Sequence, residues 1–237
     1  MTREEFINEI EKLNIKYDEE MIKKLDIYMK FLKEYNSHTN LTAIKEDSEI
    51  YLKHFYDSLT ICKAYDLNTI KNLIDVGTGA GFPGMIIKIF FPNINVTLLD
   101  SNNKKTKFLE ELSRKLNLQV TIINDRVENF SKQNLNSFDV VTSRAVANLR
   151  VLSEICLPLV KVNGYFIPLK GNIEEELSEA LTTIKLMNGK IKKEISFNLY
   201  DNYGIRNILL IEKENKTKIE NIRTYDKIVK KPLVKVS

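Results

Sequence analysis

Between residues 3 and 65, apolar side chains return every three or four positions with charges between them: Phe6, Ile10 and Leu13, then Met21, Leu25, Tyr28 and Leu32. That spacing predicts amphipathic helices, each with one face to bury. The polar run Asn36-Ser37-His38-Thr39-Asn40 interrupts the stripe and reads as a loop. A further helix is expected from Asp47 to Ala64, with Ile50, His54, Asp57 and Ile61 along one side. Three residues apart, His54 and Asp57 are expected to pair on that helix.

From residue 72 the texture changes. Short β-branched runs at Asn72 to Val76, Asn95 to Asp100, Val120 to Asn124, Phe138 to Ser143, Tyr165 to Leu169, Lys192 to Phe197 and Asn207 to Glu212 predict seven strands. Helical stretches at Pro83 to Phe91, Lys104 to Leu116, Ala147 to Val160 and Ile173 to Met187 fall between them. Alternating strand and helix is the signature of βαβ units. The expected fold is therefore α/β: an open, seven-stranded, mostly parallel sheet with helices on both faces. Residues 1–65 form an N-terminal helical extension packed on a core of residues 66–237, with no Pro/Gly linker at the boundary.

Composition narrows the classes. With 43% hydrophobic and 29% charged residues over 237 positions, the chain is globular. The longest apolar run, Ala80 to Ile87, falls far short of the ~20 residues a membrane helix needs. The N-terminus lacks the apolar core of a secretory signal, so a cytoplasmic protein is expected. Two cysteines, Cys62 and Cys156, and two histidines, His38 and His54, supply neither a disulfide framework nor a zinc site, and no metal is expected. The net charge is only +4, yet residues 213–237 hold eight Lys/Arg against three acids. That segment is either an attractive field for a polyanion or a solvated tail.

Four of the eight glycines lie in Asp75-Val-Gly-Thr-Gly-Ala-Gly-Phe-Pro-Gly84, after a strand and at the start of a helix. Glycine there lets the backbone take positive φ and approach a ligand closely. A nucleoside triphosphate would require Lys-Ser/Thr after the loop, and none follows Gly84. A dinucleotide would require Gly-x-Gly-x-x-Gly, whose third glycine is here Phe82. S-adenosyl-L-methionine fits better, because Asp75, Gly77, Gly79 and Gly81 give an acid followed by Gly-x-Gly-x-Gly. Asp100, ending the second strand, is placed to accept from both hydroxyls of a ribose. The Asn124-Asp-Arg-Val-Glu128 stretch follows the third strand, where an adenine commonly rests. Arg144, after the fourth, sits where methyl group and acceptor meet, or else forms an ion pair with Asp139 or a neighbour.

These stretches, with Asn40-Leu-Thr-Ala43, His54-Phe-Tyr-Asp-Ser-Leu59, Leu98-Leu-Asp-Ser101, Ser143-Arg-Ala145 and Leu169-Lys-Gly171, resemble one family over nearly the whole chain. It is the bacterial small-subunit ribosomal RNA guanine-N7 methyltransferases, RsmG or GidB. The resemblance implies a Rossmann-like class I methyltransferase that binds S-adenosyl-L-methionine and methylates a guanine of 16S rRNA in the decoding region of the small ribosomal subunit. It places cofactor contacts at Gly77, Phe82, Val127, Glu128 and Arg144; the loop and strand-end arguments add Gly79 and Asp100. Where the family has Trp-Asn this chain has Tyr35-Asn36, and Tyr225 to Leu233 replaces its Tyr-Pro-Arg segment.

Guanine N7 carries a free lone pair, so methyl transfer needs positioning rather than a base. No catalytic acid or base is nominated, and Cys156 is expected to be buried. Lys104, Lys105, Lys107, Lys170, Lys230 and Lys231 are the candidate phosphate contacts. A splayed guanine would stack near Phe82 or Tyr165. A monomer is expected, since no long apolar stripe is left over.

Overall fold

In a computed structural model that describes residues 1–39 and 41–233, the β-branched runs join one sheet. Its strands are β1 (Asn72–Val76), β2 (Asn95–Asp100), β3 (Thr121–Asn124), β4 (Phe138–Arg144), β5 (Val160–Lys170), β6 (Gly189–Asn198) and β7 (Ile205–Lys213). The spatial order is β3-β2-β1-β4-β5-β7-β6. Strands β1 to β5 run parallel, and β7 inserts antiparallel between β5 and β6.

The helices are α1 (Arg3–Lys12), α2 (Glu19–Thr39), α3 (Asp47–Ile50), α4 (Asp57–Leu59), α5 (Gly84–Phe90), α6 (Asn103–Leu116), α7 (Val127–Gln133), α8 (Leu149–Cys156), α9 (Glu174–Leu186) and α10 (Tyr225–Lys230). Strand alternation sends successive side chains to opposite faces. Leu73, Val96, Leu98, Val140 and Ile167 meet Phe6, Leu25, Tyr28, Ile86 and Phe108, so the N-terminal helices share one apolar core with α5 and α6. Ile74, Val76, Leu99, Val141 and Phe166 meet Leu152, Ile155 and Ile184 of α8 and α9 on the other face. Among the described residues no helix is long and apolar enough to cross a membrane.

The structure corrects the sequence reading in three places. The expected loop at Asn36 is helical through Thr39, with Asn40 outside the described residues. Asn36 turns inward and exchanges hydrogen bonds with the Thr42 backbone, donating at 2.8 Å and accepting at 2.9 Å, so it ties down the chain beyond the helix rather than breaking it. The single helix expected from Asp47 is instead α3, a π-helical segment Tyr51–Tyr56, α4 and a 3₁₀ turn Thr60–Lys63. The helix expected over Ala147 to Val160 is shorter: α8 gives way to a 3₁₀ turn, Leu157–Leu159, around Pro158, which cannot donate within an α-helix.

Strand order reverses between β1 and β4. Loops leaving their carboxyl ends diverge there and leave a crevice, the general ligand site of open α/β sheets.

Candidate active site

The glycine loop grows out of β1 and is fixed from both sides. Gly77 N–H and Thr78 N–H donate to the Leu99 carbonyl (2.8 and 3.1 Å), and Gly79 N–H donates to Asp100 Oδ2 (2.9 Å). Gly77 has φ +70°, and a Cβ there would run into Val146. Asp75 is fully buried beneath the loop; its Oδ2 accepts from Thr78 Oγ1 (2.6 Å) and from Gly84 N–H (2.8 Å). Burial pushes its carboxyl up to about 6, although both bonds and Arg144 pull the other way. Asp75 therefore shapes the loop from below.

Above the loop lies a cavity of about 290 Å³ lined by Gly77, Asp100, Lys105, Val127, Glu128 and Tyr225, among others. Asp100 Oδ1 also accepts from Asn102 N–H (2.8 Å), and Lys105 Nζ stands 3.7 Å from Oδ2. Each carboxylate oxygen has a second acceptor position free for a ligand hydroxyl. Glu128 Oε2 is buried and has no hydrogen-bond partner among the described residues. A buried carboxylate oxygen needs a donor, and an adenosine with its ribose hydroxyls and exocyclic amine offers donors to both acids. The donor set fits that group.

A second cavity, about 320 Å³, opens on the other side of Ala145, which has φ +57° and lines both. Its wall is an ionic cluster. Arg144 Nη1 donates to Asp57 Oδ2 and to the Lys53 carbonyl (2.9 Å each), and Nη2 approaches His54 Nδ1 at 3.4 Å. Arg206 Nε, from β7, donates to Asp57 Oδ1 (2.9 Å). The His54 ring stacks on Phe82 at 4.3 Å with planes 8° apart, and its Nε2 shares a hydrogen bond with Thr42 Oγ1 (3.0 Å). Burial, and then the adjacent Arg144 charge, holds His54 down to about 3. It is a neutral spacer at ordinary pH.

Gly77, Asp100, Val127 and Glu128 thus converge on one cavity, and Arg144 lines the other. Gly79 shapes the loop through Asp100 without lining either. Phe82 is 6% exposed, its ring lying between His54 and Tyr28, so it supports the site from behind and has no free face for a guanine. Tyr165 packs on Tyr65 at 4.9 Å and lines neither cavity, so it is no stacking partner either. Arg144 does not pair with Asp139, which bonds Lys161 at 2.8 Å. His54 and Asp57 do not pair with each other; each meets Arg144 instead. Lys170 is taken up by Glu176 (2.8 Å) and the Ala147 carbonyl (2.9 Å), which removes it from the surface phosphate contacts. Lys104, Lys107, Lys230 and Lys231 are exposed. Sequence reasoning missed Asp57 as the anchor of Arg144, although it lies in a stretch that carried the resemblance, and missed Arg206, which has no local signal.

The sequence model of the family described as rRNA small subunit methyltransferase G matches residues 21–209. The chain belongs to that family. A ribosomal RNA small subunit methyltransferase G from Macrococcus caseolyticus is 42% identical over 238 residues, covering 99% of this chain and 100% of its own. One from Bacillus subtilis is 43% identical over 221 residues, covering 92% of each. Among solved structures, a SAM dependent methyltransferase from Aquifex aeolicus matches with TM-score 0.54 and 17% identity, over 73% of this chain and 97% of that one. TYW2 from M. jannaschii, solved in complex with AdoMet, matches with TM-score 0.54 and 14% identity, over 68% and 75%. This family member thus has the class I methyltransferase fold.

Proposed function

We propose that the protein transfers a methyl group from S-adenosyl-L-methionine to N7 of a guanine in the decoding region of 16S rRNA, acting as a cytoplasmic monomer on the small ribosomal subunit. The observation that carries this reading is the pair of cavities meeting at Ala145, at the point where strand order reverses. One cavity takes the donor and the other the acceptor base.

When bound, the cofactor supplies an electrophilic methyl group. Asp100 receives the ribose hydroxyls, Val127 and Glu128 border the adenine, and the backbone at Gly77 admits close approach. Arg144 reaches across toward the acceptor side, its guanidinium pre-set by Asp57 and the Lys53 carbonyl. With Arg206 it gives the acceptor cavity hydrogen-bond donors for a guanine O6 or a phosphate. No proton has to leave the nucleophile, so holding the base in line and excluding water is the chain's main work. Lys104, Lys107, Lys230 and Lys231 face solvent, where rRNA phosphates would lie.

The test is transfer of labelled methyl to small subunits from cells lacking the protein, followed by chemical cleavage at N7-methylguanine. Label at a single guanine of the decoding region is the expected result. Label elsewhere, or none with cofactor binding intact, would replace this acceptor by another.

A further inference from the structure

The segment after β7 returns to the donor cavity, and nothing in the glycine loop or strand ends accounts for it. Arg223 makes a two-pronged ion pair with Glu154 of α8, Nε to Oε1 at 2.5 Å and Nη2 to Oε2 at 2.7 Å. Glu154 is 3% exposed, so this carboxylate is withdrawn from water against a single charged partner. Arg150, also on α8, donates to the Ile228 carbonyl (3.1 Å), and the Ile228 side chain is buried in the α8 and α9 core. Two residues beyond Arg223, Tyr225 opens α10, lines the 290 Å³ cavity and lies under the Arg126 guanidinium, 5.5 Å from its ring centroid. Buried ion pairs contribute little net stability, and their best-attested use is to fix position.

The geometry points to Tyr225 as a cofactor-binding residue, an outer wall against the adenosine end of the donor, with the Arg223–Glu154 pair as its positioning device. This rests on the donor-cavity reading above. Asp125 and Arg126 line the cavity together with Val127 and Glu128, the residues to which the proposed function assigns the adenine. A ring held there adds apolar contact to a planar ligand.

The experiment measures calorimetric affinity of the full-length protein for S-adenosylhomocysteine and for methylthioadenosine, which lacks the amino-acid end. Tyr225→Ala is expected to weaken both about tenfold, or about 1.4 kcal/mol, and Tyr225→Phe to stay within about twofold of wild type. Gly77→Val is the control: if it binds S-adenosylhomocysteine normally, the donor-cavity reading itself fails. If Gly77→Val abolishes binding while Tyr225→Ala retains wild-type affinity, or weakens S-adenosylhomocysteine alone, the role of Tyr225 is overturned. The Glu154→Gln/Arg223→Gln double variant leaves no unpaired buried charge; it should raise KM for S-adenosyl-L-methionine at least about threefold with kcat retained. An unchanged KM would reduce the ion pair to a structural tie.

Discussion

Gly77 combines φ +70° with Val146 at the spot a Cβ would occupy. Gly77→Val therefore strains the loop by about 1–2 kcal/mol and fills its approach to the cavity. The expected outcome is a folded protein by circular dichroism, with a lowered melting temperature and no calorimetric binding of S-adenosylhomocysteine. Asp57 is the shared carboxylate partner of two guanidiniums, Arg144 and Arg206, both distant from it in sequence. Asp57→Asn leaves both charged beside a weakened acceptor, and about 3 kcal/mol should be lost in urea unfolding, with methyl transfer reduced. His54 gives a pH dependence of known sign. Its pKa is about 3 when folded against an ordinary 6.5, so the unfolded chain takes up the proton first. That contribution to stability is complete above pH 6.5 and is lost as pH falls toward 3, by at most about 1.4 kcal/mol per pH unit. Asp75, raised to about 6, acts the other way between its ordinary value and that one, its contribution being lost as pH rises. The comparison is thus between wild type and His54→Gln: from pH 7 to pH 5 the wild type should lose more melting temperature than the variant.

At the scale of elements, α6 shows how local chemistry bounds a helix. Asn102 caps its start, accepting from Lys104 N–H at 2.9 Å, and Asn117 ends it in the left-handed region at φ 49°. Asn117→Ala keeps the Cβ in that conformation but loses the short polar side chain that makes it tolerable, and should cost about 1 kcal/mol, read in thermal unfolding. Elements governed by such local signals were legible in the sequence: the β-branched runs, α6, and the strand, glycine turn and helix from β1 to α5. What escaped was set by partners distant in sequence. The segments α7 and α10 are only seven and six residues long, with weak periodicity, and take their form from packing against α8. The π-helical segment widens one turn so that Lys53, His54 and Asp57 all meet Arg144, an association across some ninety residues of chain that no spacing within Asp47 to Ala64 encodes. Arg206 sits in an ordinary strand and becomes part of the site because β7 lies where it does.

Over the whole molecule, charge along the sequence is uneven: residues 213–237 hold eight Lys/Arg against three acids, and Tyr225 of that segment lines the donor cavity. If that excess meets phosphates, Lys230→Glu/Lys231→Glu should weaken binding to small subunits more at low salt than at high. The slope of log affinity against log salt should flatten by roughly 0.7 for each phosphate that is no longer neutralised. Equal affinity at every salt concentration would leave the tail a solvated appendage. The antiparallel insertion of β7 has a consequence for biosynthesis. Among the described residues, β6 hydrogen-bonds to β7 and to no other strand, and β5 borders the gap that β7 fills. A nascent chain that has emerged only through residue 204 therefore presents β5 as a bare sheet edge, with β6 unpaired and Leu209 and Ile211 missing from the core. It also lacks Arg206, so the acceptor side is incomplete. The sheet and the Arg144–Asp57–Arg206 cluster are therefore completed in the same event, the arrival of β7, and no shorter product has one without the other.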